Sequence, residues 1–258
     1  MASDNCLFRN LAADLLAAAG LFTRLPLGWL EKHAGPVCLS RSVWLWPLIG
    51  AAIGTFTALL TTGGLCIGLP PFIAALCGVM GQLLLTGGLH EDGLADTADG
   101  LGGGSTMNKR LAIMRDSRIG TYGALALFTC VTLRTACIAA LAPYILIPAI
   151  AFSGMISRAS LLVLLTTTPP ARKDGLAAAL LPLPRLPLWL ASLVALGAGV
   201  FLVPSATLAG ASVAALLVTL VMRRLLQRTL GGFTGDTLGA TVVLSELAVL
   251  LLLVASRG

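Results

Sequence analysis

The segment Gly88-Leu89-His90-Glu91-Asp92-Gly93-Leu94-Ala95-Asp96-Thr97-Ala98-Asp99-Gly100 places four acids within nine residues. At about 100° per helical residue, Asp92, Asp96 and Asp99 fall inside one arc of about 60°, while Glu91 lies about 100° from Asp92. Three aligned carboxylates repel one another unless a cation neutralises them. No Lys or Arg occurs between Arg41 and Lys109, so the neighbouring sequence supplies none. Hard carboxylate oxygens, with no thiolate and one nearby imidazole, suit Mg²⁺ or Mn²⁺ rather than zinc. Mg²⁺ held by a few carboxylates keeps positions open for phosphate oxygens, which indicates phosphoryl or nucleotidyl transfer. The plainer alternative is a solvated helical turn at a membrane edge. Gly100, Gly102, Gly103 and Gly104 are expected to end this helix and leave room for a ligand, although a flexible linker has the same composition.

Cations follow directly. Ser105 to Gly123 carries Lys109, Arg110, Arg115 and Arg118, with Met107, Leu111 and Met114 on one face of a short amphipathic helix. Acids for a metal beside cations for phosphate oxygens is the pairing phosphoryl transfer needs. Topology alone would also put cations here, but it does not explain Asp116 among them. A third segment, Arg223-Arg224 to Asp236, joins Arg223, Arg224 and Arg228 to the turn Gly231-Gly232-Phe233-Thr234-Gly235-Asp236, whose backbone N–H groups could bind an anion. Asp236 is equally suited to be the N-cap of the next helix. His90 is a base or ligand candidate, or a polar anchor at the membrane edge.

These segments must be held by apolar elements. The chain has 258 residues, 57% hydrophobic and 11% charged, with a mean hydropathy of +0.94. Soluble domains carry about 25% charged residues, so a water-soluble single domain is excluded. Apolar runs mark spans at about 43–67, 71–89, 120–142, 145–167, 186–203, 205–222 and 237–254. The expected fold is all-α: a polytopic helical bundle of about seven transmembrane helices, with residues 7–27 as an interfacial or partly inserted helix. Residues 1–258 read as a single integral-membrane catalytic domain. Gly63-Gly64, Pro70-Pro71, Pro143 and Pro204 mark turns on one side, without Lys or Arg. Fourteen of the seventeen basic residues fall on the other side, which the positive-inside rule makes cytoplasmic. The net charge of +6 is therefore read as topology and not as a nucleic-acid footprint. The start, Met-Ala-Ser-Asp-Asn, gives no expectation of a cleavable signal peptide. The six cysteines are scattered without metal-ligand spacing and read as packing residues. Arg134, Arg158 and Glu246 sit within spans, where they are costly unless paired.

Five stretches together resemble the cobalamin synthase family, also called adenosylcobinamide-GDP ribazoletransferase. They are Phe22-Thr23-Arg24-Leu25-Pro26, Trp46-Pro47-Leu48-Ile49-Gly50, His90 through Gly100, Met114 through Gly123, and Gly231 through Ala240. The resemblance covers most of the chain. It implies an inner-membrane enzyme with its active-site loops facing the cytoplasm, amid membrane lipid and without nucleic acid; a homo-oligomer is left open. In the implied reaction, a hydroxyl of α-ribazole or its 5′-phosphate attacks the cobinamide-side phosphorus of adenosylcobinamide-GDP. GMP leaves, and adenosylcobalamin or its phosphate forms.

Mg²⁺ dependence is also implied, in agreement with the carboxylate pattern. On this reading Asp92, Asp96 and Asp99 hold Mg²⁺ against the diphosphate, and Asp92, His90 and Asp116 are the catalytic candidates, with Asp116 or His90 as general base. Arg24, Lys109, Arg110, Arg115 and Arg118 contact substrate, as do Thr234, Gly235 and Asp236. Two other classes compete. A CDP-alcohol phosphotransferase also presents aspartates at helical spacing, but its motif has Arg where Asp96 stands here. A transporter would carry its ionisable groups at the membrane midplane on repeat-related helices, and no repeat is found.

Overall fold

The computed structural model describes residues 2–172, 175 and 180–256, with side chains from residue 9 onward. Lys173 and Arg257, two of the seventeen basic residues, and the side chain of Cys6, one of the six cysteines, lie outside the described residues. The described chain is helical: α1 (Ala2–Phe22), α2 (Gly28–Glu31), α3 (Trp46–Cys66), α4 (Pro71–Thr86), α5 (Leu89–Gly103), α6 (Met107–Ile113), α7 (Thr121–Ala140), α8 (Leu146–Thr167), α9 (Arg185–Leu202), α10 (Ser205–Thr229) and α11 (Gly235–Ala255).

Six helices are long and apolar enough to cross a membrane, and α4 with α5 makes a seventh if that bent pair counts as one span. The apolar runs therefore forecast the elements closely. Two boundaries differ. Gly63 and Gly64 lie inside α3, and the turn falls at Gly68, whose φ of +87° suits a residue without a side chain. Helix α10 runs to Thr229, past the end of its apolar stretch, because Arg223, Arg224 and Arg228 continue it beyond the hydrocarbon.

Burial grades outward from α8. Its most apolar window is 78% buried, that of α11 67%, and those of α9 and α10 22% each. Phe201 and Trp189 on α9 are 90% and 74% exposed, as side chains facing lipid tails would be. Helix α3 lies along α8, and the contact needs small residues. A Cβ on Gly50 would stand 2.1 Å from the Gly154 carbonyl oxygen, and one on Gly54 2.2 Å from that of Ile150. Cys130 and Cys137 are buried packing residues as expected, whereas Cys66 and Cys77 are exposed.

Helix α1 ends at Phe22, ahead of Pro26, and is not among the six spans. It is seated on the turn before α3. Arg41 pairs with the buried Asp14, and Trp44 Nε1 donates to the same carboxylate at 3.0 Å. The next critical feature is the break after α4. Gly87 and Gly88 both have φ of +67°, and α5 leaves at 89° to α4. Two consecutive left-handed residues are cheap only for glycine, so this pair sets the direction in which the acidic helix runs.

Candidate active site

The acidic segment is a helix throughout, and the glycine run ends it as expected, with Gly104 as the extended C-cap. Helix α5 continues to Gly103. The space above these glycines is taken by the protein itself: Met114 packs over Gly100, Tyr122 over Gly102 and Arg110 over Gly104. The expectation that they make room for a ligand is corrected accordingly. Gly93 and Gly239 do the equivalent work where α5 crosses α11. A Cβ on Gly93 would meet the Asp236 carbonyl oxygen at 2.5 Å, and one on Gly239 would meet His90 Cα at 3.2 Å. This close approach brings Asp236, far away in sequence, to the carboxylate face of α5.

Asp92 is exposed, Asp96 half-buried and Asp99 buried. Partial burial is the largest cost to the Asp96 charge, and the neighbouring charges of Asp92, Asp236 and Asp99, all acids, add to it. Asp99 is engaged elsewhere. Its two oxygens accept from Gly120 N at 2.7 Å and Gly123 N at 2.8 Å, so it caps the start of α7. No group of three or more His, Cys, Asp or Glu among the described residues is arranged as a metal cage. Convergence of all three carboxylates on one point is thus not what the structure has. A shared arc fixes direction only, and at about 1.5 Å of rise per residue Asp92 and Asp99 are about 10 Å apart along the axis.

Glu91 turns into the bundle. Arg134 Nη1 donates to its Oε1 at 2.6 Å, Arg134 Nη2 lies 3.9 Å from Glu246 Oε1, Arg158 pairs with Glu246 Oε2, and Gln82 Nε2 donates to Glu246 Oε1 at 3.1 Å. Both arginines and both glutamates are buried. The three charges that the sequence left unpaired within spans therefore form one neutral set with Glu91, joining α4, α5, α7, α8 and α11.

The cationic segment folds as α6, whose N-cap Thr106 accepts from Lys109 N. Lys109, Arg115 and Arg118 are exposed. Arg110 is partly committed: its Nε donates to Gly104 O at 2.9 Å and its Nη1 to Thr229 O at 3.1 Å, tying α6 to the end of α10. Arg118 Nη2 meets Asp116 Oδ2 at 2.7 Å, and this guanidinium holds the Asp116 carboxyl below the usual carboxylate range. Arg24 donates its backbone N–H to Leu85 O, and its side chain covers Gly87 at the α4–α5 break.

The glycine-rich turn before α11 is clipped to the chain leaving α8. Ala171 N donates to Phe233 O at 2.8 Å and Phe233 N to Pro169 O at 3.0 Å. Arg172 Nη2 then donates to Leu111 O at 2.8 Å, and its charge also reaches Asp236. Thr234 rather than Asp236 is the N-cap of α11, in a reciprocal capping box with Thr237, which leaves Asp236 in the first turn beside α5. The structure thus gathers Asp92, Asp96, Asp236 and Arg172 at one end of the bundle, next to α6. In the sequence Arg172 is simply one of the fourteen basic residues that fall on the positive side.

His90 is 4% exposed and its ring is parallel to Phe22 at 5.6 Å between centroids. Phe22 in turn meets Trp46 edge-on at 5.3 Å. These rings border a cavity of about 160 Å³, with Asp92, Gly235 and Asp236 at its polar side. Phe22 and Trp46 have no chemical role legible from residue type and spacing.

The chain is similar to known proteins over nearly its whole length. Residues 14–254 match the family described as cobalamin-5-phosphate synthase. A Bradyrhizobium diazoefficiens protein named adenosylcobinamide-GDP ribazoletransferase is 41% identical over 255 residues, covering 96% of this chain and 95% of its own. Proteins of the same name from Azorhizobium caulinodans and Xanthobacter autotrophicus are 43% and 42% identical, over 94% of this chain and 95% and 96% of theirs. No solved structure matches. A multi-pass helical membrane protein with this extent of likeness, the chain belongs to the cobalamin-5-phosphate synthase family.

Proposed function

We propose that this chain transfers the adenosylcobinamide-phosphate group of adenosylcobinamide-GDP to α-ribazole or its 5′-phosphate, releasing GMP. The observation that carries the reading is the end-to-end likeness to relatives named for that reaction, joined to a site whose acids and cations lie at one end of the bundle. A ribose hydroxyl forms the new O–P bond, the diphosphate P–O bond breaks, and GMP takes the electron pair.

The donor set suits Mg²⁺. Asp92 and Asp96 present hard oxygens, and the charges acting on Asp96 are all negative, so a cation there relieves repulsion that the described residues do not. Asp92 and Asp96 would hold the ion, with Asp236 across the helix crossing and Asp99 behind. Bound there, Mg²⁺ supplies charge neutralisation for the diphosphate oxygens. Lys109, Arg115 and Arg118, exposed on and after α6, stabilise charge on the departing GMP, while Arg110 holds α6 in place. His90 takes the hydroxyl proton, since it shares the cavity with Asp92 and Asp236, whereas Asp116 is engaged by Arg118. Asp116 then orients Arg118. Thr234 holds the turn before α11, which leaves Gly235 and Asp236 facing the acceptor.

Because the basic loops share one side, that side is cytoplasmic in the bacterial inner membrane, where a nucleotide-linked substrate is available. Purified protein in bilayers, given adenosylcobinamide-GDP and α-ribazole 5′-phosphate, is expected to form one GMP per cobamide. A folded protein that instead uses a CDP-alcohol with a membrane lipid contradicts the proposal.

A further inference from the structure

The cavity beside α5 has a size and lining that the transfer chemistry leaves unexplained. At about 160 Å³ it is close to the engineered apolar cavity of about 150 Å³ that accommodates a benzene ring, and below the roughly 300–1,000 Å³ of sites that enclose drug-sized ligands. A corrin macrocycle or a guanosine diphosphate is too large to enter. One flat mono- or bicyclic ring is the right scale.

The lining narrows the chemistry. Leu161, Leu238 and Val242 form the apolar part, and Phe22, Trp46 and His90 supply aromatic rings. A phosphate or sugar in this space would lose its water without compensation. Yet the wall holds two polar groups without partners. Trp46 is 1% exposed and its indole N–H has no hydrogen-bond partner. The His90 imidazole, 4% exposed, stacks on Phe22 and receives no hydrogen bond among the described residues. Buried donors are nearly always paired, so an orphan indole N–H on a residue bordering the cavity, itself with almost no surface open to it, points to a ligand whose acceptor reaches it once the wall adjusts. Asp92 and Asp236 mark the polar side of the same space.

From these observations we infer that the cavity receives the base of the nucleoside acceptor, a flat bicyclic heteroaromatic ring with an unsubstituted ring nitrogen. Trp46 donates to that nitrogen, the apolar side chains cover the ring, and the attached ribose emerges beside His90, Asp92 and Asp236. The inference rests on the proposed transferase reading for the identity of the acceptor. It assigns the two substrates to different places: the base goes inside, and the corrinoid and nucleotide stay outside.

The test uses the full chain in bilayers and reads KM for each substrate separately, together with calorimetric binding of α-ribazole. Val242→Phe, which fills the cavity, is expected to raise KM for ribazole about tenfold or more and leave KM for adenosylcobinamide-GDP within about twofold. Trp46→Phe, which keeps a ring and removes the donor, is expected to weaken binding of α-ribazole about fivefold. It should leave binding of an indole riboside, which lacks the acceptor nitrogen, unchanged. A rise in KM for adenosylcobinamide-GDP in Val242→Phe, or no change in either, overturns the assignment. So does equal weakening of both ribosides by Trp46→Phe, and so does lipid occupying the cavity with no ribazole binding to wild type. Wild type that binds ribazole with these variant effects but releases no GMP would instead sink the transferase reading and leave the cavity assignment standing.

Discussion

Arg134 on α7 donates to Glu91 on α5 at 2.6 Å inside the bundle, with the arginine side chain 1% exposed. One residue further along α5, Asp92 is exposed. A single buried pair thus fixes how the acidic helix is rotated, and so which acids reach the site. Arg134→Leu is expected to destabilise the protein by about 3–5 kcal/mol, because Glu91 and Glu246 are left with a missing charge in a dry interior. The double variant Glu91→Leu/Arg134→Leu should recover much of that loss. Unfolding in detergent, followed by tryptophan fluorescence, measures both, and equal loss in single and double variants would show that the pair does not act as a unit.

Asp99 and Asp92 should separate under mutation although both are acids on one helix. Asp99→Ala removes two acceptor oxygens from Gly120 N and Gly123 N and is expected to cost about 1–2 kcal/mol of stability, as loss of a helix cap does. Asp92→Asn, at an exposed position, should leave stability within about 0.5 kcal/mol while abolishing turnover. A comparison of denaturation midpoints with GMP release distinguishes the two roles.

His90 and Asp116 are distinguished by pH. Arg118 holds the Asp116 carboxyl below its ordinary value, so Asp116 is ionised at every pH where the protein is assayed, and its protonated form gains population only as pH falls through the lowered value. Asp116→Asn is therefore expected to lower kcat without moving the shape of the pH profile above pH ~5. His90→Ala should cost about 10²–10⁴ in kcat. Normal turnover and pH dependence in both variants would remove the base assignment.

Orientation follows from the distribution of basic residues. A reporter inserted near Leu101 is expected on the cytoplasmic side, and one at Gly68, in a turn without Lys or Arg, on the opposite side. Accessibility labelling of single cysteines at these positions in intact cells reads the result. Labelling of the Leu101 position from outside would place the site away from its nucleotide substrate.

Much of this was legible from the residues. Apolar runs located the spans because each needs about 20 such residues, and the acids of α5 stood out because clustered charge is rare beside a span. What stayed hidden depended on long-range contact. Asp96 and Asp236 are in different helices, and nothing local says that Gly93 and Gly239 let those helices meet. Partners for Arg134, Arg158 and Glu246 were equally invisible, since helical periodicity gives a direction but not the neighbour that fills it. Gly100 to Gly104 misled because glycine permits close approach of any group, and here the approaching groups are Met114, Tyr122 and Arg110. Phe22 and Trp46 carried part of the family resemblance without an evident role. Their edge-on contact borders the cavity.

The proposed transfer at the carboxylate face of α5 is metal-dependent. Its most direct test is GMP release from adenosylcobinamide-GDP with α-ribazole 5′-phosphate by protein in bilayers, for wild type and Asp92→Asn, in EDTA and after Mg²⁺ is restored. Wild type is expected to release GMP in a way that EDTA abolishes and Mg²⁺ restores, and an Asp92→Asn protein that unfolds like wild type is expected to release none. Release that persists in EDTA, or full turnover by Asp92→Asn, would contradict it.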